Sequence, residues 1–322
     1  MNSLSRLHYV VFFVVIALCL SCTKIIDEDA STPPVNEHNG NEGNVVNGSG
    51  DEYPTDNYAF NPLVSQHDRL LTQYAKNGNT AYHVAYDNQR RVVSIIGSEG
   101  YAFGFLIDYD KKTITEKQLS YNITYHFSLN KEGYIDALWS DYSLGGHQLQ
   151  NKYKYEYEGD YLKKATCEFY TDGKPTWNGV DYNEAIYEYE NGNLKVLKYG
   201  DVAWVFTYSD TTNPDRLSPT GFCPLMFTNY MPDKCTMSAT DLLYYSGLFG
   251  KVSSSLPDQL VVYTSFLYDN LELYEKNKKY YSMYVQEYYF TYEKDENRIK
   301  SMFMETPSET IPLPYNIEYQ FE

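Results

Sequence analysis

Along residues 151–170, NKYKYEYEGDYLKKATCEFY, aromatic and charged positions alternate one for one. Successive side chains of a strand point to opposite faces, so Tyr153, Tyr155 and Tyr157 share one face while Lys154, Glu156 and Glu158 share the other. Gly159-Asp160 supplies a turn, and a second strand runs through Ala165, Cys167 and Phe169 to Asp172-Gly173. The stretch predicts a β-hairpin with one dry and one wet face.

The same pattern recurs: aromatic, any, aromatic, an acidic or polar residue, a short turn, then an aliphatic strand. It appears at Tyr82 to Ile95, Phe105 to Thr115, Ile123 to Leu138, Ile186 to Leu197, Val205 to Leu217 and Tyr288 to Met302. A last strand, YNIEYQF, ends at Phe321 with no partner strand after it. The expected fold class is all-β, an antiparallel sheet of repeated hairpins. Tyrosine, at 36 residues, takes the place that Val and Ile hold in most sheets, because it offers apolar area plus a hydroxyl that stays wet at a margin.

The pattern lapses over about 210–260, which reads as an insertion containing one short helix. Ser238 with Asp241 forms a capping box, Leu242 to Phe249 fit the helix, and Gly250 fits its stop. Pro219, Pro224, Pro232 and Pro257 mark the remainder as loop or edge. The insertion is expected to plug or cap one end or face of the sheet.

The N-terminus changes the picture from fold to location. Tyr9 to Leu20 is an unbroken apolar run of twelve residues behind Arg6, shorter than the roughly 20 that span a bilayer, so residues 1–21 read as a cleaved signal peptide. Leu18-Cys19-Leu20-Ser21-Cys22 resembles a bacterial lipobox, which implies lipidation of Cys22 and anchoring at the outer membrane. Residues 22–57 are rich in Asn, Gly, Asp and Glu and read as a disordered acidic linker ahead of a folded unit, 58–322. Lys24 with Asp27-Glu28-Asp29 resembles the surface-export signal of Bacteroidetes lipoproteins, although Ile25-Ile26 interrupt it, so surface and periplasmic orientations both stand.

The net charge of −17 becomes −18 once Arg6 leaves with the signal. A chain this acidic, with no basic run longer than Lys278-Lys279 or Arg90-Arg91, excludes nucleic acid as a partner. Three cysteines remain besides Cys22. Cys223 and Cys235 are candidate disulfide partners in an oxidising envelope, and Cys167 shares a strand face with Ala165 and Phe169 as a buried, inert thiol.

No nucleophile elbow, zinc motif, Walker loop or dinucleotide fingerprint is present, and no cofactor or metal is expected. His83 and His126 alternate with apolar neighbours and fall on polar faces. Glu156, Glu158, Glu188 and Glu190 project from the polar faces of related hairpins, the one arrangement that would suit a glycan-active hydrolase if two strands were neighbours. Lys154, Lys163 and Lys195 among them favour a solvated face instead. Trp177, in a turn beside Pro175 and Gly179, is a candidate ligand-binding residue; Trp139, Tyr170 and Tyr289 are further rings placed to stack on a sugar or seat a protein, whereas Trp204 reads as core.

Tyr86-Asp87 with Arg91-Val92, Tyr109-Asp110 with Ile114, and Tyr189-Glu190-Asn191-Gly192-Asn193-Leu194 resemble the tyrosine-aspartate repeats of RHS-type proteins. With YYSGLFGKVSSSLPDQL (Tyr244 to Leu260), they resemble a family of Bacteroidetes lipoproteins classed as a domain of unknown function. The resemblance implies a meander of such repeats and carries over no reaction or catalytic residue. The expectation is therefore a non-catalytic binding or scaffold module with a polysaccharide or an envelope protein as partner, and a glycan hydrolase as the alternative.

Overall fold

The computed structural model describes residues 70–76, 79–98, 104–117, 122–176, 184–217, 245–282, 285–296, 298–305 and 315–322, all within the compact unit Gly48–Glu322. Nine strands come first: β1 (Leu71–Lys76), β2 (Asn79–Tyr86), β3 (Val92–Gly97), β4 (Gly104–Asp108), β5 (Thr113–Lys117), β6 (Asn122–Leu129), β7 (Ile135–Leu144), β8 (His147–Glu158) and β9 (Tyr161–Thr171). A two-residue strand β10 (Lys174–Pro175) edges β9. Then follow β11 (Glu184–Glu190), β12 (Asn193–Tyr199), β13 (Val202–Thr212) and β14 (Ser255–Thr264). Three short helices, α1 (Ser265–Asp269), α2 (Leu271–Lys276) and α3 (Lys278–Tyr281), lead to β15 (Val285–Asp295), β16 (Arg298–Glu305) and β17 (Tyr315–Phe321).

Every neighbouring pair is antiparallel, β11 joins β9, and β17 returns to pair with β1 at Leu71↔Phe321 and Tyr74↔Tyr319. Leaving out β10, sixteen strands close into one up-and-down barrel. The all-β expectation holds, but a closed barrel replaces the expected meander of tyrosine-aspartate repeats, and the strand at Phe321 has partners on both sides. Closure also removes the exposed edges that an open array would have to protect.

The aromatic face of each strand lies inside. Tyr74, Phe105, Ile95, Leu162 and Leu197, all 0% exposed, belong to the one apolar cluster that fills the interior, whereas on the outer wall α1 and α2 cover part of β12–β14, burying Ala203 and packing Tyr268 and Tyr274 on Tyr263. The dry face runs through every expected hairpin: Tyr153 and Tyr155 are buried, while Lys154 and Glu156 are exposed. Cys167 and Trp204 lie in the same core, as the sequence predicts.

Six of the seven expected hairpins form as β2–β3, β4–β5, β6–β7, β8–β9, β11–β12 and β15–β16. The exception is Val205 to Leu217. There β13 continues to Thr212 and pairs instead with β14, because the chain turns away at Asn213-Pro214-Asp215 and Leu217 is buried off-strand. Asn213 ties this departure down: its side-chain amide donates to the carbonyls of Leu217 and Ser253 and its Oδ1 accepts from Leu217 N. Asp215, whose side chain is 1% exposed, accepts from Arg298 Nη1 at 3.1 Å and Ile299 N at 3.3 Å. Asp215→Ala strands both donors and is expected to cost about 2–3 kcal/mol in chemical denaturation.

The tyrosines have a second, repeated task at one end of the barrel. In four hairpins, and on β13 where the chain turns away, the last inward tyrosine donates its hydroxyl to a carbonyl near the start of the preceding strand. The pairs are Tyr86 to Leu71 (2.8 Å), Tyr109 to Val92 (3.0 Å), Tyr157 to Ile135 (2.6 Å), Tyr208 to Leu194 (2.7 Å) and Tyr292 to Pro257 (2.6 Å). The acidic or amide residue nearby shapes the turn. Asp87 accepts from Gln89 N, Arg91 N and Arg91 Nε, and although burial alone would raise its carboxyl, these donors hold it below the ordinary carboxylate value. Asn130 does the same for Glu132 N and Tyr134 N. A Tyr-Asp pair is thus a clasp followed by a turn former.

Residues 245–251 cross this same end. Tyr245 Oη accepts from Leu71 N on β1, Leu248 O accepts from Ile135 N on β7, and Lys251 N donates to Asp160 O between β8 and β9. Because β1 and β7 stand on separate parts of the ring, the segment closes the mouth, and Ser246, Leu248 and Phe249 are 0% exposed. These residues belong to the expected insertion of about 210–260, whose other described parts are 210–217 and 252–260. Of the helix expected over Leu242 to Phe249, residues 245–249 form turns instead. Helices occur where none was expected, in the β14–β15 connection at the opposite end, where Thr264 caps α1 through Leu267 N.

Candidate functional site on the outer wall

A porin-type barrel of this strand number encloses an aqueous channel and turns an apolar band outward. Here the polarity is reversed. The outward positions of β8 are Gln148, Gln150, Lys152, Lys154, Glu156 and Glu158, and those of β9 include Lys164, Thr166, Glu168 and Tyr170. In a lipid-facing wall each Lys at mid-height would cost about 2–4 kcal/mol. The interior, by contrast, holds few polar groups, among them Glu116, Ser140 and Asn151.

The four carboxylates of the hydrolase reading all lie on this wall, and each faces a lysine. Glu156 is opposite Lys164, Glu158 lies 3.1 Å from Lys163, Glu188 3.7 Å from Lys198 and Glu190 2.7 Å from Lys195. Strand β9 separates Glu156 from Glu188, and ladder spacing puts their Cα atoms about 12 Å apart with Lys164 on the strand between them.

What the wall does assemble is a row of rings. His126, Trp139, Lys152 and Glu168 face one another in register across β6, β7, β8 and β9. The His126 and Trp139 rings stack with centroids 6.0 Å apart at 25°. Lys152 Nζ lies 5.2 Å from the centroid of Tyr170, whose hydroxyl donates to Glu168 Oε2 at 2.8 Å. Beside them Gln150 Nε2 donates to Asp141 Oδ1 at 2.7 Å, and Thr115 and Thr124 pair through their hydroxyls. Trp139 points outward because β7 carries one residue more than β6 between Ile135 and Ala137. Beyond that bulge Leu138, Ser140 and Tyr142 turn inward while Trp139 and Asp141 turn out.

Of the other candidates, Tyr289 is exposed on the outer face of β15, far around the ring from Trp139. His83 is exposed, and His147 pairs with Asp172 at 2.8 Å on a hairpin tip. Among the described residues no cluster of metal-ligating side chains occurs. Burial pushes the Cys167 thiol up to about 12, which fits an inert group. The candidate lipidation site Cys22, the candidate ligand residue Trp177 and the candidate disulfide pair Cys223 and Cys235 lie outside the described residues. The sequence singled out Trp139 and Tyr170 without joining them to His126 and Lys152; registering β7 and β8 around their turn gives Lys152, while the bulge between β6 and β7 hides the pairing with His126.

The fold is that of a closed sixteen-stranded antiparallel barrel. Among solved structures the chain is similar to a porin-like protein from Bacteroides uniformis ATCC 8492, with a TM-score of 0.52 and 15% identity, covering 80% of this chain and 99% of that one. It is also similar to a porin-like protein from Bacteroides vulgatus ATCC 8482, with a TM-score of 0.48 and 12% identity, covering 78% and 97%. No family model matches, and no curated protein does.

Proposed function

We propose that the chain is a non-catalytic binding module of the cell envelope, tethered to the outer membrane through a lipid on Cys22 and holding its barrel in water. The observation that carries this reading is the reversed polarity of the barrel. A dry, tyrosine-packed interior with one mouth closed by residues 245–251 leaves no aqueous route, and a charged outer wall opposes lipid contact. What remains useful is the wall itself, a rigid surface whose ligand is a glycan or an envelope protein. Hydrolysis is disfavoured by the lysine-separated carboxylates.

The test uses the mature chain without its lipidated cysteine, residues 23–322. It is expected to stay monodisperse without detergent and to raise no conductance in planar bilayers. Dependence on detergent, or discrete channel openings, would overturn the reading. Release of reducing ends from a retained polysaccharide, lost in Glu156→Gln with Glu188→Gln, would replace the binding module with the hydrolase.

A further inference from the structure

We infer that the outer wall of β6–β9 is a seat for a neutral polysaccharide, with the indole of Trp139 as its floor and the rings of His126 and Tyr170 flanking it. The inference rests on the reading of the chain as a binding module and names that module's ligand class.

Three features of the patch carry it. His126 and Trp139 project from neighbouring strands and Tyr170 from β9, beyond Lys152 on β8, so all three are held in one hydrogen-bonded sheet before any ligand arrives and little ordering is needed on binding. Aromatic faces are flat and apolar with a polar edge, which matches a pyranose ring: C–H groups on its faces, hydroxyls around its rim. Around the rings stand hydroxyl, amide and carboxylate groups, namely Thr115, Thr124, Gln150, Asp141 and Glu168. Such groups donate to or accept from vicinal sugar hydroxyls.

Charge selects among glycans. Lys152 stands opposite Glu168, whose carboxylate also receives the Tyr170 hydroxyl. Toward the plugged end, Lys154 and Lys164 are answered by Glu156 and Glu184, with Lys164 Nζ 2.5 Å from Glu184. With Asp141 counted, three lysines stand against four carboxylates, so the patch carries no basic surplus, and the chain as a whole is strongly acidic. A uronic or sulfated polymer would meet no compensating field. A protein partner would need an apolar centre within roughly 800 Å² of contact, whereas the row next to the rings is Ser128, Ala137, Lys154 and Thr166, whose one apolar member is small and buried.

Residues 23–322 are run in native gels cast with single polysaccharides, neutral ones (β-glucan, mannan, xyloglucan) against acidic ones (polygalacturonate, chondroitin sulfate). Retention is expected with at least one neutral polymer, changing less than about twofold between low and high salt because no ion pair with the ligand is formed. Trp139→Ala should weaken it by about tenfold or more, as truncation of an aromatic anchor does. Tyr170→Ala should weaken it less, and Trp139→Tyr, which restores a ring, should recover most of it. Tyr289→Ala, on the far wall, should leave retention and melting unchanged. Retention confined to acidic polymers and abolished by salt would overturn the neutral class. Retention unaffected by Trp139→Ala and Tyr170→Ala would move the site off this wall while leaving the binding module standing. If no polysaccharide retards the chain, the inference fails. Pull-down of an envelope protein would then keep the module reading, and capture of nothing would remove that as well.

Discussion

Raising the pH from 10 to 11 is expected to unfold the barrel cooperatively, with tyrosinate absorbance near 295 nm appearing together with the loss of β-sheet signal. An unfolded tyrosine ionises near pH 10. Inside the barrel, burial raises Tyr245 to about 12 and raises Tyr109 and Tyr125 further. Tyr134 is raised as well, by burial and then by its hydrogen bond to Asp160. All four are less than a tenth exposed. Below pH 10 both states hold these protons and the groups leave stability unchanged. Above it the unfolded chain releases protons that the fold retains, so each group removes about 1.4 kcal/mol per pH unit until its folded value is reached. Four groups remove about 5 kcal/mol over one unit, comparable with the whole stability of many domains. Lys and Arg neutralisation does not explain a transition that tracks tyrosine absorbance. Gradual, non-cooperative ionisation of most tyrosines with the sheet intact would show that the interior admits water.

That dependence on tyrosine was legible in the sequence, and its architectural consequence was not. Strict alternation in NKYKYEYE fixes which face is dry, because strand geometry has a period of two, and six hairpins follow from local turns such as Gly159-Asp160 and Asn191-Gly192. Closure depends on Leu71 meeting Phe321, two segments at opposite ends of the folded chain whose local pattern is identical whether or not they meet. The β13–β14 pair is hidden for the same reason, since Thr212 and Ser255 are separated by the whole insertion. The helices over 265–281 escape notice because each is only four to six residues long and is broken by Asn270 or Asn277, too short for a 3.6-residue period to show.

The candidate site illustrates a subtler limit. Counting alternately from Ile135 puts Ala137 and Trp139 on the face of Ile135, inside the barrel. The bulge between Ile135 and Ala137 reverses the parity, and only then does the indole reach the outer wall beside His126. Ser128 and Asp136 hydrogen-bond across the bulge, yet neither residue announces it in sequence. A one-residue slip decides between a core ring and a binding ring. Tyr170 escaped this ambiguity because β9 regains regular alternation after Lys163, so its outward direction could be read from Cys167 and Phe169 alone.

The second large effect is expected at the plug. Phe249 is fully buried and meets Tyr155 edge-on, with centroids 5.4 Å apart at 76°. Phe249→Ala should cost about 3–5 kcal/mol by removing that packing and leaving a cavity under the closed mouth. Gly250, next in the chain, holds φ +92°, and a Cβ there would lie 2.7 Å from the Asp160 carbonyl and 3.2 Å from Tyr157 Cε1. Gly250→Ala combines a left-handed backbone with a clash against main chain that cannot swing aside, so a cost on the order of 2–3 kcal/mol is expected. For a unit of this size each kcal/mol lowers the melting temperature by roughly 2–4 °C, so Phe249→Ala should shift it by about 10 °C or more. The loss should be global rather than local. Residues 245–254 are tied to β1 at Leu71, β7 at Ile135, the β8–β9 turn at Asp160 and the β11–β12 turn at Gly192, so the mouth cannot open without loosening strands on separate parts of the ring. A variant that melts like the parent but binds a hydrophobic dye at room temperature would instead make the plug an independent lid, and the dry interior would then owe its integrity to the wall alone.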